Sequence, residues 1–310
     1  MRAWILLAVA ALGCVGPEDT PSNVHDLRVL GIQTDPPERM APACSFDPSN
    51  PDGFLGLVAP VQVISLIADP AGGGRQISYA LWGCADPADR DCSQEADRVL
   101  LSQGAAQDGE LVVTAAPLLA QLPDGTFLIQ RVLEKDPYTG LGGLRVPLVL
   151  HLQAGTEEVW AQKLMVYSCK YFPDQEQNVL PVLPGVTLGG GPLDAGVPPD
   201  LSGPGPFAFA PVDFRALEEP YVVPGFPEPP STTPVPIHLV ESWKISWYAD
   251  YGAFSPGTTG GADLTGGEGR HNTEWRPPFP GEARDVRFWF VVRDGRGGLS
   301  WLTRQARYLP

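Results

Sequence analysis

The sequence predicts an all-β protein: two β-sandwich domains joined by a Pro/Gly-rich linker, behind a short N-terminal leader. Three observations carry that expectation. Glycine and proline number 35 each in 310 residues, a composition that favours turns and short strands over long helices. Short apolar stretches with period-two alternation recur along the chain, each bounded by turn residues. Between residues 172 and 236 that patterning gives way to Pro and Gly, and it returns afterwards. The hydrophobic fraction of 43% is enough to fill real cores, and the length fits two domains.

Residues 1–13 read as a signal peptide. Arg2 supplies the positive end, and the apolar run 3–12 (AWILLAVAAL) is too short to span a bilayer. The run ends in Ala11-Leu12-Gly13-Cys14, which resembles the lipobox of bacterial lipoproteins, with Ala11 where the first position is usually Leu. The resemblance implies cleavage before Cys14 and acylation of its thiol, which anchors a chain because each buried CH₂ contributes about 0.8 kcal/mol. Residues 14–25 are then a polar tether. Val15 stands where the Asp of inner-membrane retention would be, so the expected location is the cell envelope, at the outer membrane.

With Cys14 assigned to lipid, four of the five cysteines remain: Cys44, Cys84, Cys92 and Cys169. Of the three possible pairings, Cys84–Cys92 is favoured because a short polar loop separates them. Cys44–Cys169 would then tie an early loop to the last strand of the first domain. A zinc site is a poor alternative, because no C-x₂-C spacing occurs and no His or Cys partners stand at ligand spacing.

The first domain is expected over residues 26–171. Its strands are read at 27–33, 61–68 (VQVISLIA, β-branched on both faces), 76–82, 110–114, 125–133, 146–152 and 158–168, with a helical turn at 115–121. Residues 172–236 are expected to be extended or turn-like, with Phe207, Phe209 and Phe214 as the side chains able to hold parts of the segment onto a domain. The second domain is expected over 237–310, with strands at 242–248, 285–293 and 299–309 around the turn DGRGG.

The segments LRVLGIQTDPPE, VQVISLIADPAGGG and QISYALWGC resemble immunoglobulin-like domains of Gram-negative lipoproteins. ISWYADYGAFSPG, NTEWRPP and FWFVVRDGRGG resemble PKD-like and other bacterial Ig-like domains. The resemblance implies Ig-like sandwiches with adhesion, spacing or scaffold roles and no shared catalytic residue.

The net charge of −15 repels phosphate backbones, so no nucleic-acid partner is expected. No G-x-S-x-G, H-E-x-x-H, P-loop or EF-hand pattern occurs, and His25, His151, His238 and His271 are scattered. No catalytic residue, metal or cofactor is expected. The carboxylates Asp86, Asp89, Asp91, Glu95 and Asp97 read as a solvated acidic loop rather than a Ca²⁺ site. Trp243, Trp247, Tyr248 and Trp275 are the candidate ligand-binding residues, since exposed Trp and Tyr can stack on sugars or partners; alternation with Ile245 gives Trp243 and Trp247 a core reading instead. The chain is expected to be a non-catalytic envelope lipoprotein of interaction, adhesion or scaffold type. Its expected partners are the membrane, through lipid, and another envelope protein or a polysaccharide. The alternative is a carbohydrate-binding surface module.

Overall fold

A computed structural model describes residues 20–44, 56–138, 140–212, 218–227, 231, 233–261 and 271–310. Cys14, the leader, Phe214 and the carboxylates Asp263 and Glu268, a weaker cation-site candidate of the second domain, lie outside the described residues.

The first sandwich uses β1 (Arg28–Asp35), β2 (Glu38–Ala41), β3 (Val61–Ala68), β4 (Ile77–Cys84), β5 (Arg98–Ala106), β6 (Gly109–Ala115), β7 (Leu144–Ala154) and β8 (Glu157–Cys169). One sheet has the order β1-β3-β6 and the other β2-β8-β7-β4-β5. The ladders are antiparallel except β2–β8, which is parallel. Alternation sends Ile77 and Leu81 of β4, and Leu148, Leu150 and Leu152 of β7, into the space between the sheets, where all are at most 1% exposed. Each such side chain contributes about 1.5–3 kcal/mol on burial.

The expected strand at 125–133 is a correction. That stretch is a turn followed by helix α1 (Leu128–Lys135). Its apolar residues fall at 128, 129, 132 and 133, a helical spacing, and Leu128 and Val132 are buried against the first core. Gln130 Oε1 accepts from the Phe127 N–H at 3.2 Å, satisfying one orphan donor at the helix start. Strands β2 and β5 carry no clear alternation and were not foreseen; β5 is an edge strand, only partly buried.

The segment 172–236 is the larger correction, because it is not a linker throughout. It contains β9 (Val186–Leu188), β10 (Gly191–Pro192), β11 (Asp200–Ser202), β12 (Phe207–Pro211) and β13 (Pro220–Gly225), and it runs into β14 (Val235–Val240). These are followed by β15 (Lys244–Ala249), β16 (Ala253–Ser255), β17 (Thr258–Gly260), β18 (Thr273–Arg276), β19 (Arg284–Arg293) and β20 (Leu299–Leu309). The sheet β10-β9-β12-β18-β16 faces the sheet β11-β20-β19-β15-β17, and β13–β14 forms a separate hairpin. Leu183, Val186, Leu193, Leu201 and Phe209 are buried in the same core as Trp247, Trp275 and Phe288. The second sandwich therefore starts well before residue 237. Pro and Gly raise the turn density here, but the apolar residues between them supply the strands.

The two sandwiches share a third apolar cluster. Leu30, Leu66 and Ala68 from the first meet Trp289, Val291 and Leu299 from the second, together with Val24. Gly31 makes this approach possible: a Cβ there would stand 2.9 Å from Leu299 Cδ2. At the rim, Arg287 pairs with Asp108 at 2.6 Å and Trp301 Nε1 donates to Glu110 at 2.7 Å. The turn after β19 is organised by Asp294, 1% exposed. Its Oδ1 accepts from the backbone N–H groups of Arg296, Gly297 and Gly298 at 2.7, 3.0 and 2.9 Å, and its Oδ2 accepts from Asn178 Nδ2 at 2.8 Å. Asn178 N–H in turn donates to Glu38 of the first sandwich at 2.7 Å. Lys163 reaches from β8 to donate to the Gly297 carbonyl; burial lowers its pKa to about 8.

The expected tether 14–25 is also shorter than its sequence implies. Ser22, Asn23 and Val24 are buried, and the Val24 N–H donates to the Ala249 carbonyl at 2.7 Å. The Ser22 hydroxyl bonds both the carbonyl and the N–H of Phe254, at 3.2 and 3.0 Å.

Candidate functional site

The four aromatics proposed to bind a ligand do not form a surface. Trp243, Trp247 and Trp275 are 3%, 0% and 0% exposed. Each indole N–H is satisfied internally, to Glu241 at 3.0 Å, Thr259 at 2.8 Å and the Tyr251 carbonyl at 2.8 Å, as buried Trp requires. Tyr248 lies on the opposite face and packs against the shared cluster. The polar ends that a sugar would need are spent inside the core, so the candidate strip is withdrawn.

The cysteines pair as expected, Cys44 with Cys169 and Cys84 with Cys92. The acidic loop is neutralised locally. Asp97 receives Arg131 at 2.9 Å and Lys135 at 2.6 Å, both from α1, and these contacts hold its carboxyl below the usual range. Asp89 accepts from Ser93 and from the Gln94 N–H, and Asp86 from the Ala88 N–H. Among the described residues no group of three or more His, Cys, Asp or Glu is placed to hold a metal ion. His151 stacks on Trp160 at 3.9 Å on the outer face of the five-stranded sheet.

A cleft of about 660 Å³ lies at one end of the first sandwich. This lies in the ~300–1,000 Å³ range of small-molecule sites. Its walls come from Leu118 and Leu119 of a short helical turn, Phe127 and Ile129 at the start of α1, Leu144 at the start of β7, and Tyr167 near the end of β8, with the Cys44–Cys169 disulfide at its edge. Leu119 and Phe127 are 53% and 38% exposed, so the rim is open and apolar.

Among the described residues, two buried polar atoms in the β2–β8 ladder lack hydrogen-bond partners. Tyr167 is 5% exposed, and its hydroxyl has no hydrogen-bond partner. Burial drives the phenol pKa upward, opposed by the charge of Arg39, so the Tyr167 hydroxyl stays protonated at physiological pH and can both donate and accept. Arg39 stands opposite Tyr167 in the β2–β8 ladder. Its Nη2 donates to the Pro60 carbonyl at 2.8 Å, while its Nε is buried and unpartnered. Sequence reading missed this site because a strand assignment over 125–133 removes the helix that forms its wall. The helical spacing of Leu128 and Val132 was the available signal.

The β13–β14 hairpin exposes Val235, Ile237, Leu239 and Val240. Its edges are protected by proline. Pro224 stands opposite Pro236, which makes that pair non-hydrogen-bonded and turns both nitrogens outward. The same alternation turns Pro220 outward, and the Glu241-to-Glu219 backbone bond at 2.9 Å fixes the phase. Three of the outward positions therefore have no N–H to offer an incoming strand.

No family model matches this chain, and no curated protein matches it. Solved structures align over most of its length with little similarity. Escherichia coli alpha-2-macroglobulin activated by porcine elastase aligns at 8% identity and a TM-score of 0.25, over 92% of this chain and 22% of that one. Red sea bream transglutaminase aligns at 9% and 0.22, over 93% and 32%. A chimeric titin Z1Z2 tandem aligns at 10% and 0.18, over 81% and 90%. The chain thus spans about a fifth to a third of the first two. Likeness at this level carries no argument about activity. Among the described residues no helix is long and apolar enough to cross a membrane.

Proposed function

We propose that the chain is a non-catalytic lipoprotein of the bacterial cell envelope, anchored through Cys14 at the outer membrane, that acts by binding another envelope component. The observation that carries the reading is the cysteine arithmetic. Five cysteines are present, and four close two disulfides. Disulfides belong to oxidising compartments, and the one thiol outside them is the one in the lipobox-like sequence. An odd cysteine in an exported protein calls for a separate use, and acylation supplies it.

The strand orders support an Ig-like reading of both sandwiches. In the first, the third, fourth and seventh strands sit as B, C and F do in Ig-like folds, with β8 as G beside β7. In the second, β15, β19 and β20 make the same C-F-G set. The extensive shared cluster makes the pair one presenting body.

The reading is tested by metabolic labelling with a palmitate analogue in a host with lipoprotein signal peptidase. Wild type should be labelled and Cys14→Ala should not, with the variant released from the membrane fraction. Equal labelling of the two would reject the anchor.

A further inference from the structure

We propose that the pocket at the seam of the two sandwiches binds a small doubly charged oxyanion, of the phosphate and sulfate class, between Lys163 and Arg293. The pocket measures about 350 Å³. Its walls are the edge of β1 at residues 29–32, the edge of β8 at residues 161–164, and the turn after β19 within residues 293–299. This site stands apart from acylation of Cys14, and either can fail without the other.

In a chain with 36 acidic and 21 basic side chains, a cation drawn into the fold is expected to meet a carboxylate. These two do not. Lys163 is 9% exposed, and its ammonium donates to the Gly297 carbonyl, which belongs to the pocket wall. Arg293 is partly exposed. Its Nη1 donates to the Ser246 hydroxyl at 3.0 Å and its Nη2 to the Leu30 carbonyl at 3.3 Å. Neither cation forms an ion pair among the described residues, and no carboxylate lines the pocket. Asp294 is the acid whose charge favours protonated Lys163, but its oxygens are occupied by three backbone N–H groups and Asn178. Arg293 lies close enough for its own charge to oppose that of Lys163.

Two like charges on one cavity, with no acid in its wall, are stabilised by an anion placed between them. The donors to hold it are present. Lys163 keeps two N–H groups beyond the one given to Gly297, and a guanidinium carries five, of which Ser246 and Leu30 take two. Strand β1 is the edge of its sheet, and β8 at residues 161–164 is laddered only to β7. Alternate backbone N–H groups on both pocket edges are therefore left outside the ladders. A monoanion would neutralise one cation and leave the other. An anion with two charges and several oxygens matches the cation count and the donors together. It would also tie the sandwiches to each other, since Lys163 belongs to the first and Arg293 to the second.

The test is calorimetric titration of the full chain bearing Cys14→Ser, in chloride buffer at about pH 7, where a pKa of about 8 keeps Lys163 mostly protonated. The probes are sulfate, inorganic phosphate, acetate and dimethyl phosphate, the last standing for the phosphodiester of a lipid headgroup. Sulfate and phosphate should bind with one-to-one stoichiometry, and the two monoanions at least about tenfold more weakly. Lys163→Met and Arg293→Gln should each weaken sulfate at least about tenfold. Arg276→Gln, at an exposed arginine already paired with Glu274 at 2.8 Å, should leave it unchanged. Lys163→Met exchanges a buried charge for an apolar chain of similar length, a change folds tolerate; should it not fold, Arg293→Gln decides. Absence of saturable sulfate and phosphate binding overturns the site. So does binding indifferent to the Lys163 and Arg293 changes, or weakened equally by Arg276→Gln. Equal binding of acetate or dimethyl phosphate overturns the assignment to a doubly charged anion.

Discussion

Replacing Phe209 by Ala tests whether the Pro/Gly-rich middle of the chain belongs to the second sandwich. The ring is 1% exposed. Its centroid lies 5.1 Å from Phe254, 5.2 Å from Phe288, 6.0 Å from Phe290 and 6.5 Å from Trp247. The backbone of β12 is bonded on both sides, to β9 and β18, so the cavity left behind cannot collapse easily. Buried Phe→Ala changes cost about 3–5 kcal/mol, and loss of several aromatic neighbours places this one near the upper half, about 4 kcal/mol. At a slope of about 2 kcal/mol per molar urea, the midpoint falls by roughly 2 M. Urea unfolding followed by Trp emission reports on this domain, because Trp243, Trp247, Trp275 and Trp289 are all buried in it. Phe279→Ala, at a side chain 93% exposed, is the control and should stay within about 0.5 kcal/mol. Phe209→Leu should fall between, near 1.5 kcal/mol, and serves if the Ala variant does not fold. A loss under about 1 kcal/mol for Phe209→Ala, with an unchanged slope, would refute the assignment.

Asp294→Ala strips the turn after β19 of a carboxylate that receives three backbone N–H groups and Asn178. It should cost about 3 kcal/mol or more and increase proteolytic cleavage around Gly297. Lys163 tests the seam through pH. Its folded pKa, about 8, lies below its unfolded value near 10.4. Between those values the unfolded chain holds a proton the folded chain has released, so stability should rise as pH climbs from about 8 to 10. The rise is about 3 kcal/mol at most. Lys163→Met should lose it, and a wild-type and variant difference flat in pH would reject the burial argument. The paired change Cys44→Ala and Cys169→Ala opens a loop closed over 125 residues and should cost a few kcal/mol, up to about 5 in the chain-entropy account, read as a fall in Tm. Asp108→Asn removes a partly exposed ion pair with Arg287 and should change stability by no more than about 1 kcal/mol.

Much of the fold was legible where strands alternate cleanly. The segment 61–68 matches β3 residue for residue, and 285–293 and 299–309 anticipate β19 and β20 within a residue. Both disulfides followed from loop length and even count. The failures have physical reasons. Residues 127–133 mix Phe, Ile, Val and Leu, which are acceptable in strands, and only the spacing of Leu128 and Val132 marks the helix. The strands β9 to β12 are two to five residues long, too short for any period to show, and their stability comes from partners distant in sequence. The shared cluster left a trace that local pattern could not interpret. Trp289 and Val291 are apolar on the face of β19 opposite Phe288 and Phe290, and Leu66 does the same on β3. A strand buried on both faces needs a second neighbour, but sequence alone does not name it. The cleft was hidden for a related reason, since its walls come from segments far apart in sequence that meet only in the folded sandwich.

The docking of residues 22–24 on the second sandwich bears on the proposed anchor, because it sets how far the body could stand from an acylated Cys14. Only six peptide units separate Cys14 from Thr20, where the described body begins. Fully stretched they reach about 20 Å. With Cys14 acylated, such a leash keeps the molecule hugging the headgroups, and the joined sandwiches allow no reach by unfolding like a jointed arm. Under the proposed anchoring, a partner would have to be met close to the lipid surface.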